Sequence, residues 1–113
     1  MPHIVVESSS KTLANPRELL QRLVRALSDC ETVDPAAVKG RFVEHSVWEL
    51  GSGAPDEFVH VNVAIMEGRP DDLRRSMADQ LYAVAKEYVE RERGNKVVVT
   101  LELRDMDLPT YRK

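Results

Sequence analysis

Apolar residues recur along the chain with two periodicities, one typical of strands and the other typical of helices. Four segments show the strand pattern, either as runs of β-branched residues or as alternating apolar and polar positions. Two longer segments carry apolar residues three and four positions apart, which predicts amphipathic helices. The predicted strands cover residues 2–7, 41–50, 58–66 and 96–104, and the predicted helices begin near Asn15 and at Pro70.

Capping signals predict where the two helices start and stop. Asn15 is a good N-cap, Pro16 suits the first helical position, and Glu18 completes a capping box. Two aspartates follow Pro70, where negative charge suits the helix dipole, and Gly94 ends that helix. The apolar stripes of the two helices consist of Leu19, Leu20, Leu23, Val24, Leu27 and Cys30, and of Leu73, Met77, Leu81, Val84, Ala85 and Tyr88.

The order of these elements predicts the fold class. It is strand, helix, strand, repeated once, with similar halves at about 1–50 and 57–105. This order predicts one domain over 1–113, a two-layer α/β fold of tandem βαβ units with a four-stranded mixed sheet and two helices on one face. The first strand is apolar at successive positions, so we expect it to be buried on both faces. Val and Ile on both strand faces would make the uncovered side of the sheet prone to association, which predicts a homo-oligomer.

Composition narrows the class of protein. A chain of 113 residues can bury a modest core, and a net charge of −3 argues against a nucleic-acid binder. No apolar run approaches the roughly 20 residues of a membrane span, and no charged leader precedes an apolar segment. The single cysteine, Cys30, rules out an internal disulfide. We therefore expect a soluble cytoplasmic protein with no nucleic-acid or membrane partner.

Pro2 offers a chemical group that no other position offers. A small residue after the initiator favours removal of Met1, which would leave Pro2 with a free secondary amine. An α-amine has a pKa of about 8, and an apolar pocket near cations lowers that pKa, so the neutral amine can act as a general base at pH 7. The alternative is that Pro2 simply begins a strand, where it needs no chemistry.

Two arginines are candidate ligands for an acidic substrate. Arg41 lies where the second predicted strand begins, and Arg69 lies between a strand end and a helix N-terminus. Both positions rim a sheet, where α/β folds commonly bind ligands, and arginine binds a carboxylate through two parallel hydrogen bonds. On position alone, a solvated surface arginine is the commoner case. The three histidines lack metal-ligand spacing, so no metal site is predicted.

Several stretches of the chain resemble one known enzyme family. The opening Met1-Pro2-His3-Ile4-Val5-Val6-Glu7 resembles the start of the 5-carboxymethyl-2-hydroxymuconate isomerase family, within the tautomerase superfamily. The stretch from His60 to about Leu81 also resembles the start of 4-oxalocrotonate tautomerase. Glu57–Val61 looks like the third strand of the isomerase family, and Gly68-Arg69 looks like the turn after it. Asp107–Thr110 is similar to the family's C-terminal segment, and Arg41 lies where the family has an arginine.

The resemblance implies a βαβ-repeat fold, a homotrimer and a reaction that needs no metal or organic cofactor. It implies that Pro2 is the catalytic general base, which moves a proton in a 2-hydroxy-dienoate carboxylic acid, and that Arg41 and Arg69 bind substrate carboxylates. Because active sites in the family lie near subunit contacts, the two arginines around one Pro2 can come from different chains. The resemblance therefore implies an isomerase that acts in the breakdown of aromatic acids.

Other functions stay open at this point. The superfamily also includes phenylpyruvate tautomerases, dehalogenases and decarboxylases, so the fold does not decide the reaction. A keto-enol tautomerase of arylpyruvates would suit the same residues, and a trimeric binding module would hold an acidic ligand without moving a proton. The chain looks shorter than the family around residues 8–16 and has Pro70 where relatives carry Ser, so the loops that select the substrate cannot be matched.

Overall fold

The sheet has the strand order β2-β1-β3-β4. β1 pairs with β2 in parallel, β3 pairs with β4 in parallel, and β1 and β3 join the two halves as an antiparallel pair. The computed structural model describes all 113 residues, and the predicted two-layer α/β fold with a mixed four-stranded sheet is confirmed. In chain order the elements are β1 (His3–Ser8), α1 (Pro16–Ser28), a 3₁₀ turn (Pro35–Ala37), β2 (Lys39–Glu44), β3 (Glu57–Met66), α2 (Asp71–Arg93) and β4 (Val97–Met106).

Both helices pack on the same face of the sheet. Every second residue of β1 and β3 points to this face, where Ile4, Val61 and their neighbours are fully buried against the leucines of α1 and the apolar stripe of α2. Gly40 of β2 lets α1 approach closely, because a Cβ there would lie 2.9 Å from Val24 Cγ2 and 3.0 Å from Leu20 Cδ1. No helix combines the length and apolar character of a membrane span.

The predicted starts of both helices and the end of α2 before Gly94 are confirmed, whereas α1 ends at Ser28, before Cys30 of its predicted apolar stripe. The capping box at the start of α1 also differs from the prediction. One half of the capping box is present, because Asn15 Oδ1 accepts a hydrogen bond from the Glu18 N–H at 3.3 Å. The Glu18 carboxylate, which was predicted to complete the box, instead accepts from the Tyr88 hydroxyl at 3.0 Å and from Arg22. The Tyr88 hydroxyl also lies 3.0 Å from the Asn15 carbonyl, so α2 contacts the first turn of α1. Burial, followed by the hydrogen bond to Glu18, raises the pKa of Tyr88 to about 12.

The second strand is shorter than predicted. The sequence predicts it over 41–50, whereas β2 ends at Glu44, and the Val47 side chain is 86% exposed. β1 ends at Ser8, whose carbonyl accepts from the His45 N–H at 2.9 Å, so the chain beyond has no neighbouring strand to pair with. The indole N–H of Trp48 instead donates to the Asp56 carbonyl at 2.8 Å within a loop. The boundary was wrong because apolar alternation does not reveal where the partner strand stops.

The face of the sheet away from the helices has a different character from the one predicted. β1 is not buried on both faces: Ile4 and Val6 are buried against the helices, while His3, Val5 and Glu7 are only half-buried. The face is also more polar than the surface of Val and Ile that the sequence predicts. Besides these three residues of β1, it carries Lys39, Arg41, Val43, Phe58, His60, Asn62, Ala64, Met66, Val98, Thr100, Glu102, Arg104 and Met106.

An ion pair and its neighbouring hydrogen bonds join the start of β3, the end of α2 and the loop after β1. Glu57, the first residue of β3, accepts from Arg93 at 2.5 Å (Nη2 to Oε2) and at 3.1 Å (Nη1 to Oε1). Arg93 is the last residue of α2 and also donates to the Thr12 carbonyl at 2.7 Å. The Thr12 hydroxyl donates to Glu57 at 3.0 Å. This network fixes the loop after β1 against β3 and α2.

Glu57→Gln is expected to lower the free energy of unfolding by about 1 kcal/mol at pH 7. Hydrogen bonds from Arg93 and then from Thr12 lower the pKa of Glu57 below its ordinary value of 4.5. A carboxylate with a lowered folded pKa stabilises the fold above its unfolded pKa, and this contribution disappears as the pH falls through the folded pKa. Urea unfolding at pH 7 and at about pH 3 should therefore show a difference between variant and wild type that shrinks in acid.

Glu87→Gln is the matched control, because Glu87 makes a 3.2 Å pair with Arg91 on the exposed surface of α2. Exposed pairs of this kind contribute little. Equal losses in the two variants, or a loss at Glu57 that does not change with pH, would show that the Glu57–Arg93 pair does not stabilise the fold.

Candidate active site

The antiparallel pairing of β1 with β3 brings the start of the chain to the end of β3. Because His3 pairs with Ala64, Pro2 lies near the end of β3 and shares a cavity with Met66 and with Arg69 of the turn that follows. The loop between α1 and the 3₁₀ turn forms another wall of the same cavity, and Lys113 comes from the C-terminal segment. The cavity has a volume of about 240 Å³ and is lined by Met1, Pro2, Thr32, Val33, Asp34, Ala37, Met66, Arg69 and Lys113.

Arg69 is held in place by backbone and side-chain oxygens. Its Nε donates to Thr32 Oγ1 at 2.9 Å, Nη2 donates to the Thr32 carbonyl at 2.8 Å, and Nη1 donates to the Met66 carbonyl at 3.1 Å. Gly68 precedes it with φ of 119°, a conformation that glycine adopts without strain and that turns the chain out of β3. A guanidinium has five N–H groups, so these three bonds leave two N–H groups for a carboxylate in the cavity.

An amine at the start of this chain lies in a positively charged setting. Burial, followed by the charges of Lys113, Lys39 and Arg69, lowers the pKa of the Met1 amine from its ordinary value of 8.0. Pro2 lines the same cavity, and its nitrogen is an amide while it is joined to Met1. A free amine at Pro2 would therefore have Arg69 and Lys113 as neighbours, which disfavours its charged form.

Arg41 lies outside this cavity. It is the third residue of β2, on the polar face of the sheet, and its Nη1 donates to His3 Nδ1 at 3.3 Å. The chain thus brings together two of the three residues predicted from sequence, Pro2 and Arg69, and places the third on the opposite side of the strand that follows Pro2.

His3 and Tyr111 are neighbours of the cavity that the sequence interpretation missed. His3 Nε2 lies 2.9 Å from the Tyr111 hydroxyl, which also lies 3.4 Å from the Met1 carbonyl. Burial, and then the charges of Arg41, the N-terminal amine and Lys39, lower the pKa of His3 from its ordinary value of 6.5. Tyr111 lies beyond β4, outside every element that the sequence predicts.

Other sites in the structure offer less chemistry. A larger groove of about 510 Å³ lies between α1 and β2, where Arg17, Gln21 and Arg25 are its polar side chains, and it has no base or nucleophile. No three His, Cys, Asp or Glu side chains are grouped so that they could hold a metal ion. Cys30 packs against the core, and burial raises the pKa of its thiol, so it is a structural residue.

Comparison with solved structures identifies the class of protein. The chain is similar to a 5-carboxymethyl-2-hydroxymuconate isomerase from Deinococcus radiodurans R1, with a TM-score of 0.86 and 26% identity over 99% of this chain and 87% of that one. It is similar to a 5-carboxymethyl-2-hydroxymuconate delta-isomerase with a TM-score of 0.85 and 14% identity, covering 100% of this chain and 87% of that one. A fused 4-OT protein shares the fold with a TM-score of 0.68 and 20% identity, over 93% and 85% of the two chains. The protein therefore has the tautomerase-like fold of these isomerases.

The family follows from the sequence match. Residues 2–113 match the family model described as 5-carboxymethyl-2-hydroxymuconate isomerase, and the chain belongs to this family. A search of curated proteins found no match. The match begins at Pro2, which lines the cavity with Arg69.

Proposed function

We propose that this isomerase moves a proton within 2-hydroxy-dienoate carboxylic acids of the 5-carboxymethyl-2-hydroxymuconate type, with Pro2 as the general base after removal of Met1. One observation carries the proposal: Met1 and Pro2 line a cavity with Arg69, and burial and neighbouring cations there lower the pKa of the Met1 amine, a setting that a free Pro2 amine would share. A secondary amine that is neutral at pH 7 can take up a proton, and the same cations attract an acidic substrate. The reaction needs no cofactor.

The proposed reaction is a proton transfer along a conjugated acid. The Pro2 nitrogen takes the proton from the 2-hydroxyl, and the electron pair of that O–H bond forms the C2=O double bond. The diene electrons shift along the carbon chain, and the protonated amine returns its proton to a distant carbon. Arg69, held by Thr32 and Met66, uses its two remaining N–H groups to bind a carboxylate and to stabilise the dienolate.

A second arginine requires a second chain in this proposal. Arg41 does not line the cavity of its own chain, so Arg41 of one subunit would bind another carboxylate beside Pro2 of a neighbouring subunit. We propose a homotrimer, a proposal supported by the structural likeness to the fused 4-OT symmetric trimer. The proposed setting is aromatic-acid breakdown in the cytoplasm.

Replacing Pro2 tests the proposal. In protein freed of Met1, Pro2→Ala is expected to lower kcat for ketonisation of a 2-hydroxy-dienoate diacid by about 10- to 100-fold, because a primary amine on an unlocked backbone is a poorer base. Initial rates followed by ultraviolet absorbance give the comparison, and intact mass confirms that both proteins have lost Met1. Full activity in the Ala variant would contradict the base role of Pro2.

One observation favours a second candidate function. The chain supplies a single arginine to the cavity, which would suit a monoacid such as an enol arylpyruvate. Comparing kcat/KM for the diacid and for an arylpyruvate in the same protein separates the two functions. A clear preference for the diacid supports two arginines per site, and a preference for the monoacid supports the arylpyruvate tautomerase.

A further inference from the structure

Donor and acceptor can be assigned in each of the hydrogen bonds that link Arg41, His3, Tyr111 and Met1. The Arg41 guanidinium can only donate, so His3 Nδ1, which lies 3.3 Å from Arg41 Nη1, must be the acceptor. The neutral ring then carries its hydrogen on Nε2 and donates to the Tyr111 hydroxyl oxygen at 2.9 Å. The hydrogen of Tyr111 is thereby directed to its remaining neighbour, the Met1 carbonyl oxygen. The order of donation is Arg41, His3, Tyr111, Met1.

The last bond of this series is weak and lies at the reactive position. The distance from the Tyr111 hydroxyl to the Met1 carbonyl is 3.4 Å, longer than an ordinary O–H···O hydrogen bond. That carbonyl is covalently joined to the Pro2 nitrogen. The hydroxyl of Tyr111 therefore points at the space directly beside the proposed base, and it loses its only acceptor when Met1 is removed.

From this geometry we infer that Tyr111 is a further substrate-binding residue, whose hydroxyl donates a hydrogen bond to the 2-oxygen of the substrate in the place where the Met1 carbonyl lies. The inference rests on the proposed function, because it requires a Pro2 that has lost Met1. His3 and Arg41 act as positioning residues for this hydroxyl. Tyr111 keeps its proton throughout and stabilises the negative charge that develops on the 2-oxygen.

The inferred role explains the relative position of base and donor. The proton that Pro2 removes is bound to the 2-oxygen, so this oxygen must lie within hydrogen-bond reach of the Pro2 nitrogen. The Met1 carbonyl oxygen, whose carbon is bonded to that nitrogen, marks nearly the same place. Each hydrogen bond in the series polarises the next, so donation from His3 makes the Tyr111 hydroxyl a stronger donor to an oxygen that becomes anionic.

A pair of diacids that differ by one oxygen tests the inference without turnover. Titration calorimetry on Met1-free protein compares 2-oxohexanedioate with hexanedioate, which lacks the 2-oxygen. We expect wild type to bind the 2-oxo diacid about three- to tenfold more tightly, the range expected for one hydrogen bond. Tyr111→Phe should abolish this preference, while Tyr82→Phe, at an exposed position on α2, should retain it.

This comparison distinguishes failure of the inference from misfolding of a variant and from failure of the proposed function. Each protein is compared with itself on two ligands, so a change that weakens both equally does not count as loss of preference. A Tyr111→Phe protein that keeps the wild-type preference, or a wild type without one, would overturn the inference while Pro2 catalysis stands. Failure of Met1-free wild type to bind either diacid would contradict both. Full activity of Pro2→Ala together with lost preference in Tyr111→Phe would contradict only the base role.

The positioning role of His3 has its own spectroscopic signature. ¹⁵N NMR of histidine-labelled protein should show the His3 ring as the neutral tautomer with hydrogen on Nε2 at pH 7. Tyr111→Phe should leave this tautomer in place, because Arg41 still donates to Nδ1. Hydrogen on Nδ1 in wild type would contradict the direction of donation and with it the inferred donor role of Tyr111.

Discussion

A chain that keeps any residue in front of Pro2 is expected to lose about 10²- to 10⁴-fold in kcat/KM for the diacid, the range that general base catalysis contributes. An amide nitrogen has no basic lone pair, so the extension removes the base while leaving the cavity residues unchanged. A glutamine inserted between Met1 and Pro2 gives such a protein, since methionine before a large residue is retained.

The matched control is the same extension removed by a protease that leaves Pro2 as the first residue. Its kcat/KM should return to the wild-type value. Equal turnover by the extended and the trimmed proteins would mean that the Pro2 nitrogen does not take part in the reaction.

Arg69→Met is expected to lower kcat/KM by about 10²- to 10³-fold, the loss seen when a donor to a developing anion is removed. The variant also removes one of the three positive charges that lower the pKa of the N-terminal amine. That pKa should rise, so the acid limb of the pH–rate profile should move to higher pH. Kinetics from pH 5 to 9 with the diacid measure both effects.

Two variants separate the role of Arg69 in binding from its role in structure. Arg75→Met removes an exposed arginine on α2 and should leave kcat/KM within about twofold of wild type, as expected for surface substitutions. Arg69→Lys keeps the charge but loses the planar set of donors, so it should keep the acid limb in place while kcat/KM falls. An Arg69→Met protein with unchanged kcat/KM would exclude Arg69 from the site.

Local signals in the sequence were sufficient to predict most of the fold. The caps of the helices depend on a few neighbouring residues, and Asn15 and Gly94 mark ends that the structure confirms. The extent of β2 depends instead on where β1 ends, which no residue between Arg41 and Leu50 encodes. The faces of β1 were mistaken for the same reason, because burial of a strand face depends on which elements pack against it.

The candidate site could be predicted only in part. Pro2 and Arg69 were candidates from their chemistry and position, the resemblance to a family implied their roles, and the antiparallel pairing of β1 with β3 places them in one cavity. The side of the strand on which Arg41 lies follows from its register with Val5, which the sequence alone does not give. The contact between Tyr111 and His3 spans nearly the whole chain, so no local pattern could predict it.

The most direct test of the central claim is ¹⁵N NMR titration of the Pro2 nitrogen in proline-labelled protein purified without a tag. The proposed function predicts an amine resonance, which shows that Met1 is absent, with a pKa below the value of about 8 that is ordinary for an α-amine. An amide resonance, or an amine that titrates at or above the ordinary value, would contradict Pro2 as the general base.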